Sequence, residues 1–127
     1  MAVREIKTSI SLDGEKAFRQ AVNDASRAMR VMNAELKAIG AEFGVTGDKQ
    51  QFLTQKSNNL RQAIAQQEQI VNALSGAVRE SAKEYGDAAN QTDGYRIKLA
   101  NATAALNRMK QELDATDREA DELGRDS

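Results

Sequence analysis

Residues 18–43, FRQAVNDASRAMRVMNAELKAIGAEF, decide how this chain folds. Phe18, Val22, Ala25, Met29, Met32, Leu36, Ile39 and Phe43 recur at alternating spacings of four and three. That rhythm keeps one narrow apolar seam on one face of a helix over three and a half heptads, the pattern of coiled-coil packing. Ala17, Ala21 and Ala28 widen the stripe, while Arg19, Gln20, Asn23, Arg27, Arg30 and Lys37 lie off it. The spacing predicts a first helix over 15–43. Gly44 and Gly47 then predict a loop over 44–48.

The rhythm continues on both sides of the next break. Asp48 is placed to cap a second helix over 49–85, because its carboxylate can accept from the free N–H groups of the first turn. That helix carries Leu53, Ser57, Leu60, Ile64, Gln67, Val71, Leu74, Val78, Ser81 and Tyr85 at heptad spacing. Ser57, Gln67 and Ser81 are polar residues at core positions, which lower stability and fix register. Seven of the twenty residues from 50 to 69 are Gln, which suits an exposed face without strong charge selection. Residues 86–94 form a polar loop with a glycine at each end, and Thr92 or Asp93 is placed to cap a third helix. That helix, 95–123, repeats the seam with Tyr95, Leu99, Ala102, Leu106, Met109, Leu113, Thr116, Ala120 and Leu123. Residues 124–127 are a tail.

The opening reads differently. Ile6, Thr8, Ile10 and Leu12 alternate with Lys7, Ser9 and Ser11, a period of two that predicts a short strand. Asp13-Gly14 predicts the turn after it, and such a strand must find a pairing partner; the alternative is a frayed N-terminal arm. The expected fold class is therefore all-α: long heptad-patterned helices, as coiled coil or helical hairpins, after a short N-terminal β-strand and turn within 1–14. All of it forms one elongated region. The seam residues Phe18, Val22, Met29, Met32, Leu36, Ile39, Leu53, Leu60, Ile64, Val71, Leu74, Val78, Leu99, Leu106, Met109 and Leu113 are the expected self-association surface. Each seam must dock on another helix of this chain or on another copy.

Composition narrows the function classes. Of 127 residues, 18 are Lys or Arg and 19 Asp or Glu, and there is no Pro, Cys, His or Trp. Without Cys and His there is no disulfide, no thiol nucleophile and no imidazole base or ligand. Charge is balanced along the chain, which argues against a dedicated nucleic-acid surface. No apolar run approaches a membrane span, and the N-terminus lacks a signal-peptide core. The expectation is a soluble, cytoplasmic, non-enzymatic protein with no cofactor.

Candidate sites are weak. Gly44-Val45-Thr46-Gly47-Asp48-Lys49 has two glycines near a lysine but lacks the Gly-Lys-Ser/Thr ending of a phosphate loop. Asp87, Asn90 and Asp93 offer oxygen ligands, but their spacing is not that of a calcium-binding helix–loop–helix. Glu80 and Glu84 lie four apart on a helix, flanked by Arg79 and Lys83, and read as a solvated face.

The ordered set of segments resembles a known family. Val3 to Gly14 followed by Ala17-Phe18 is similar to the opening of phage tail tape measure proteins, where a short strand and an Asp-Gly turn lead into a helix. Met32-Asn33-Ala34-Glu35-Leu36-Lys37-Ala38 resembles that family's Leu-x-x-Glu-Leu-Lys stretch, with Met32 in place of Leu. Gln55 to Leu60, Ile64, Val71 to Leu74, and Ala104 to Leu113 are similar to its second and third helices. The resemblance implies the N-terminal coiled-coil part of a structural phage or prophage protein. Such a protein templates polymerisation of the tail tube and so sets tail length. Implied partners are other copies of the chain, the tail tube protein, tail assembly chaperones and the tail terminator, with no specific nucleic acid and no membrane in this segment. The implied locations are the host bacterial cytoplasm during assembly and the lumen of the virion tail. Tape measures run to many hundreds of residues, so the resemblance implies a piece of a longer chain or a truncated gene. The alternative is a cytoplasmic coiled-coil adaptor or assembly scaffold unrelated to phage tails.

Overall fold

The computed structural model describes the backbone of residues 2–126 and the side chains of residues 15–125. It is all-helical: α1 spans Ala2–Thr46, α2 Lys49–Tyr85 and α3 Asn90–Asp126. At about 1.5 Å per residue, the 45 residues of α1 and the 37 each of α2 and α3 make rods of roughly 68 and 55 Å.

Two tight connections reverse the chain. α1 ends where the N–H of Gly47 donates to the Phe43 carbonyl at 2.8 Å, with Gly47 at a φ of 68° that costs glycine no Cβ clash. Asp48 comes next, its carboxylate accepting from the N–H of Gln51 at 3.1 Å as the N-cap of α2. α2 ends at Gly86, φ 97°, whose N–H donates to Ala82. α3 then begins at Asn90, five residues ahead of Tyr95. The polar stretch 90–94 continues the helix because nothing in it breaks the backbone ladder. Thr92 is therefore no cap, and its side chain is fully buried.

The expected strand is corrected. Residues 6–12, with Ile6, Thr8, Ile10 and Leu12, belong to α1, and no strand occurs among the described residues. A lone strand leaves its backbone groups unpaired, whereas a helix satisfies them internally. Val3, Ile6 and Ile10 also sit three and four apart, so the same residues fit a helical face.

α2 is the central element, with α1 and α3 both antiparallel to it and packed along it. Among the described residues no Cα of α1 comes within 8 Å of a Cα of α3. The three rods form a V with α2 at its base, and Gln91 of α3 donates to Glu15 of α1 across the N-terminal ends of its arms. Where the arms meet α2, Ala25, Ile70, Leu74 and Ala102 form the core, with Val22, Met29, Val71, Tyr95 and Leu99 against it. The accessible surface is 8591 Å², against roughly 6,700 Å² for a compact domain of 13.9 kDa. The excess is what three rods sharing narrow seams should expose.

Candidate functional site

The heptad residues turn toward other helices of the same chain. On α1, Phe18, Val22, Met29, Met32, Leu36 and Ile39 are half-buried, and Ala25 is buried. On α2, Leu53, Leu60, Ile64 and Leu74 are buried, with Val71 and Val78 half-buried, whereas Tyr85 is exposed. On α3, Leu106 is buried and Leu99, Met109 and Leu113 are half-buried. Because α1 and α3 each pack lengthwise on only one neighbour, part of each half-buried seam residue stays in contact with solvent.

Being central, α2 needs a second stripe. It runs through Phe52, Asn59, Ala63, Ile70 and Ala77, and serves α1. The Phe52 ring stacks on Phe43 with centroids 4.6 Å apart. The Asn59 side-chain amide donates to the Met32 carbonyl at 2.9 Å. Gly76 lets the Phe18 ring rest on the α2 backbone. This stripe escapes a sequence reading that tracks one seam, because Lys56, Asn59 and Gln66 interrupt it. Its signal is the spacing of Phe52, Ala63, Ile70 and Ala77.

The polar seam residues of α2 all point at α3. The Ser57 hydroxyl donates to Asp117 Oδ1 at 2.6 Å, and Arg61 Nη2 holds Oδ2 of the same carboxylate at 2.9 Å. Gln67 Nε2 donates to the Ala102 carbonyl at 2.9 Å. Near the 86–89 turn, the Ser81 and Thr92 hydroxyls meet at 2.8 Å, and Thr92 donates onward to the Gly86 carbonyl at 2.9 Å. Since the Thr92 proton goes to Gly86, Ser81 is the donor of that pair. Among the described residues no buried side-chain polar atom lacks a partner. Each contact is satisfied at only one register, so together they fix how α3 lies on α2.

The chemical candidates resolve into structure. In 44–49, Asp48 is spent on the α2 cap and no strand precedes the loop. Asp87 and Asp93 converge on one cation already present: Arg96 reaches Asp87 Oδ1 at 3.1 Å, Asp93 Oδ1 at 3.2 Å and the Asp87 carbonyl at 2.7 Å. Glu80 and Glu84 are both exposed, and Glu80 borders a small crevice with Phe18 of α1 and Tyr95 of α3. No group of three potential metal ligands occurs among the described residues, and no helix there is long and apolar enough to cross a membrane.

What remains is a surface feature that sequence reasoning missed. The open side of the V forms a groove of about 430 Å³ between the N-terminal halves of α1 and α3. Leu74 of α2 is its floor, Phe18, Val22 and Tyr95 are its walls, and Arg19 and Lys98 stand on its rims. Neither rim charge is legible as part of a site until the fold brings α1 and α3 to the same side of α2. No protein-family model, curated protein or solved structure matches this chain.

Proposed function

We propose that this chain is a structural, non-catalytic rod: the N-terminal coiled-coil part of a phage tail tape measure protein that templates tail-tube assembly and sets tail length. One observation carries the reading of a rod. Three long helices lie lengthwise along shared seams, with far more exposed surface than a globule of this mass. The tail assignment itself rests on the ordered resemblance of the segments. A ruler must be stiff, and rods without proline resist bending. Its partners under this reading are further copies, the tube protein, the assembly chaperones and the terminator. Its places are the host cytoplasm during assembly and the tail lumen afterwards.

The folded-back arrangement makes the test quantitative. Two heptads removed at matched heights from all three helices should shorten tails by about 21 Å if this region measures as a folded bundle. The shortening would be about 63 Å if the region measures as one extended helix. Tail lengths averaged over many particles in electron micrographs decide between the two. Unchanged length with normal yield overturns the ruler role. A soluble complex with a non-tail protein would then favour the adaptor reading.

A further inference from the structure

We infer that the groove between α1 and α3 receives the opposite, acidic flank of α1 from a second copy of this chain, in a pairing that repeats from copy to copy. This concerns self-association alone and does not rest on the tail reading.

The groove supplies one of the two faces. Its apolar floor and walls are topped by Arg19 on one side and Lys98 on the other. Helical periodicity extends both rims. The row on α1 that contains Arg19 and Asn23 continues through Ser26 and Arg30 to Asn33 and Lys37 with no acidic residue, while one turn before Arg19 it carries Glu15, which accepts from Gln91 of α3 at the end of the groove. The row on α3 that contains Gly94 and Lys98 continues through Asn101 to Arg108. Among the described residues Arg30, Lys37, Lys98 and Arg108 have no carboxylate within ion-pairing distance, while Arg19 has a loose contact to Glu15 at 3.8 Å.

The other face is the opposite flank of the same helix. Ala21, Asp24, Ala28, Val31, Glu35, Ala38 and Glu42 succeed one another at spacings of three and four. This is a second stripe on α1, acidic where the groove side is basic, with no basic residue in it. It faces away from the groove: Glu35, Ala38 and Glu42 border the α1–α2 crevice on the back of the V. Val31 is 53% exposed, one of the few large apolar side chains left in solvent. The alanines between the carboxylates let a helix backbone approach closely. An α1 seated in a neighbour's groove would place Ala28 and Val31 against the apolar walls and its carboxylates against the basic rims. The apolar floor favours this occupant over a nucleic-acid strand, which would leave Leu74 and Val22 unused.

The two faces differ, so the pairing is heterologous. Each added copy leaves one groove and one acidic flank open, and assembly continues past the dimer. Sedimentation velocity of the 127-residue chain at low salt should show mass rising with concentration beyond the dimer and falling as salt screens the rims. Arg19→Glu with Lys98→Glu reverses the groove, and Asp24→Lys with Glu35→Lys reverses the flank. All four positions are exposed, so circular dichroism should show unchanged helix. Each pair should weaken association by roughly tenfold or more. Mixing the two variants should restore assembly, as should all four changes in one chain. A chain that stays monomeric, a dimer that never grows, or association indifferent to either reversal overturns the inference. So does an oligothymidylate or an unrelated acidic helical peptide that binds the groove of a chain showing no self-association.

Discussion

Gly76 shows how much one missing Cβ decides. A Cβ built there meets the Phe18 ring at 2.8 Å, whereas at Gly40, also inside a helix, it meets nothing within 4 Å. Helix propensity favours alanine over glycine by about 1 kcal/mol at both sites. Gly40→Ala should therefore raise stability by about 0.5–1 kcal/mol. Gly76→Ala should lower it by about 1 kcal/mol, because overpacking against a half-buried ring outweighs the propensity gain. Urea denaturation of both variants checks the opposite signs, and Phe18→Leu should relieve the Gly76→Ala defect. The hydroxyl pair near the second turn makes a similar contrast. Ser81→Ala leaves Thr92 still bonded to Gly86 and should cost about 1 kcal/mol or less. Thr92→Val breaks both bonds and strands the buried Ser81 hydroxyl, so about 2 kcal/mol is expected in the same assay. The polar character of Ser57, Gln67 and Ser81 was legible in the heptad pattern. Their partners were not, because Asp117, Ala102 and Thr92 lie eleven to sixty residues away.

At the scale of elements, the two faces of α2 are held by different physics. Toward α1, aromatic stacking and apolar packing dominate, and no ion pair joins α1 to α2 among the described residues. Toward α3, Lys49–Glu119 at 3.1 Å, Lys56–Glu112 at 2.6 Å and Arg61–Asp117 at 2.9 Å pin the C-terminal half. These pairs are partly exposed, so each contributes only a few tenths of a kcal/mol to about 1 kcal/mol and is screened by salt. Hydrogen exchange over residues 111–125 should therefore quicken as salt rises from about 50 to 500 mM, while residues 25–43 of α1 stay protected. Equal response of both helices would show that the ion pairs contribute nothing. The helical character of 18–43 was readable because one seam meets one partner. Half of the packing of α2 was not, since a central helix must serve two neighbours and its second stripe is broken by Lys56, Asn59 and Gln66. The opening misled because residues spaced two apart include residues spaced four apart. Only the cost of an unpaired strand separates those readings.

For the whole molecule, shape is the measurable consequence. A compact chain of this length has a radius of gyration near 14 Å, by a scaling of about 2.2 Å times length to the power 0.38. Three parallel-axis rods of about 55–68 Å should have one of roughly 19 Å. Small-angle scattering, at dilution and salt that keep the chain monomeric, checks this, and a value of about 14 Å would mean a collapsed bundle. Asp48→Ala removes the N-cap of α2 at the tighter turn, and a loss of about 1 kcal/mol is expected with little change in that radius.

Periodicity by itself determined that this chain is helical, where its glycine punctuation falls, and which face of α1 and of α3 turns inward, because these arise from 3.6 residues per turn and the transfer of apolar side chains from water. Tertiary structure alone decided that α2 lies in the middle, that the seams are spent within one chain, and that Arg19 and Lys98 overlook a common groove. Those outcomes depend on how two short turns fold three rods together, and a pattern local to one helix holds no record of what a distant helix will place beside it.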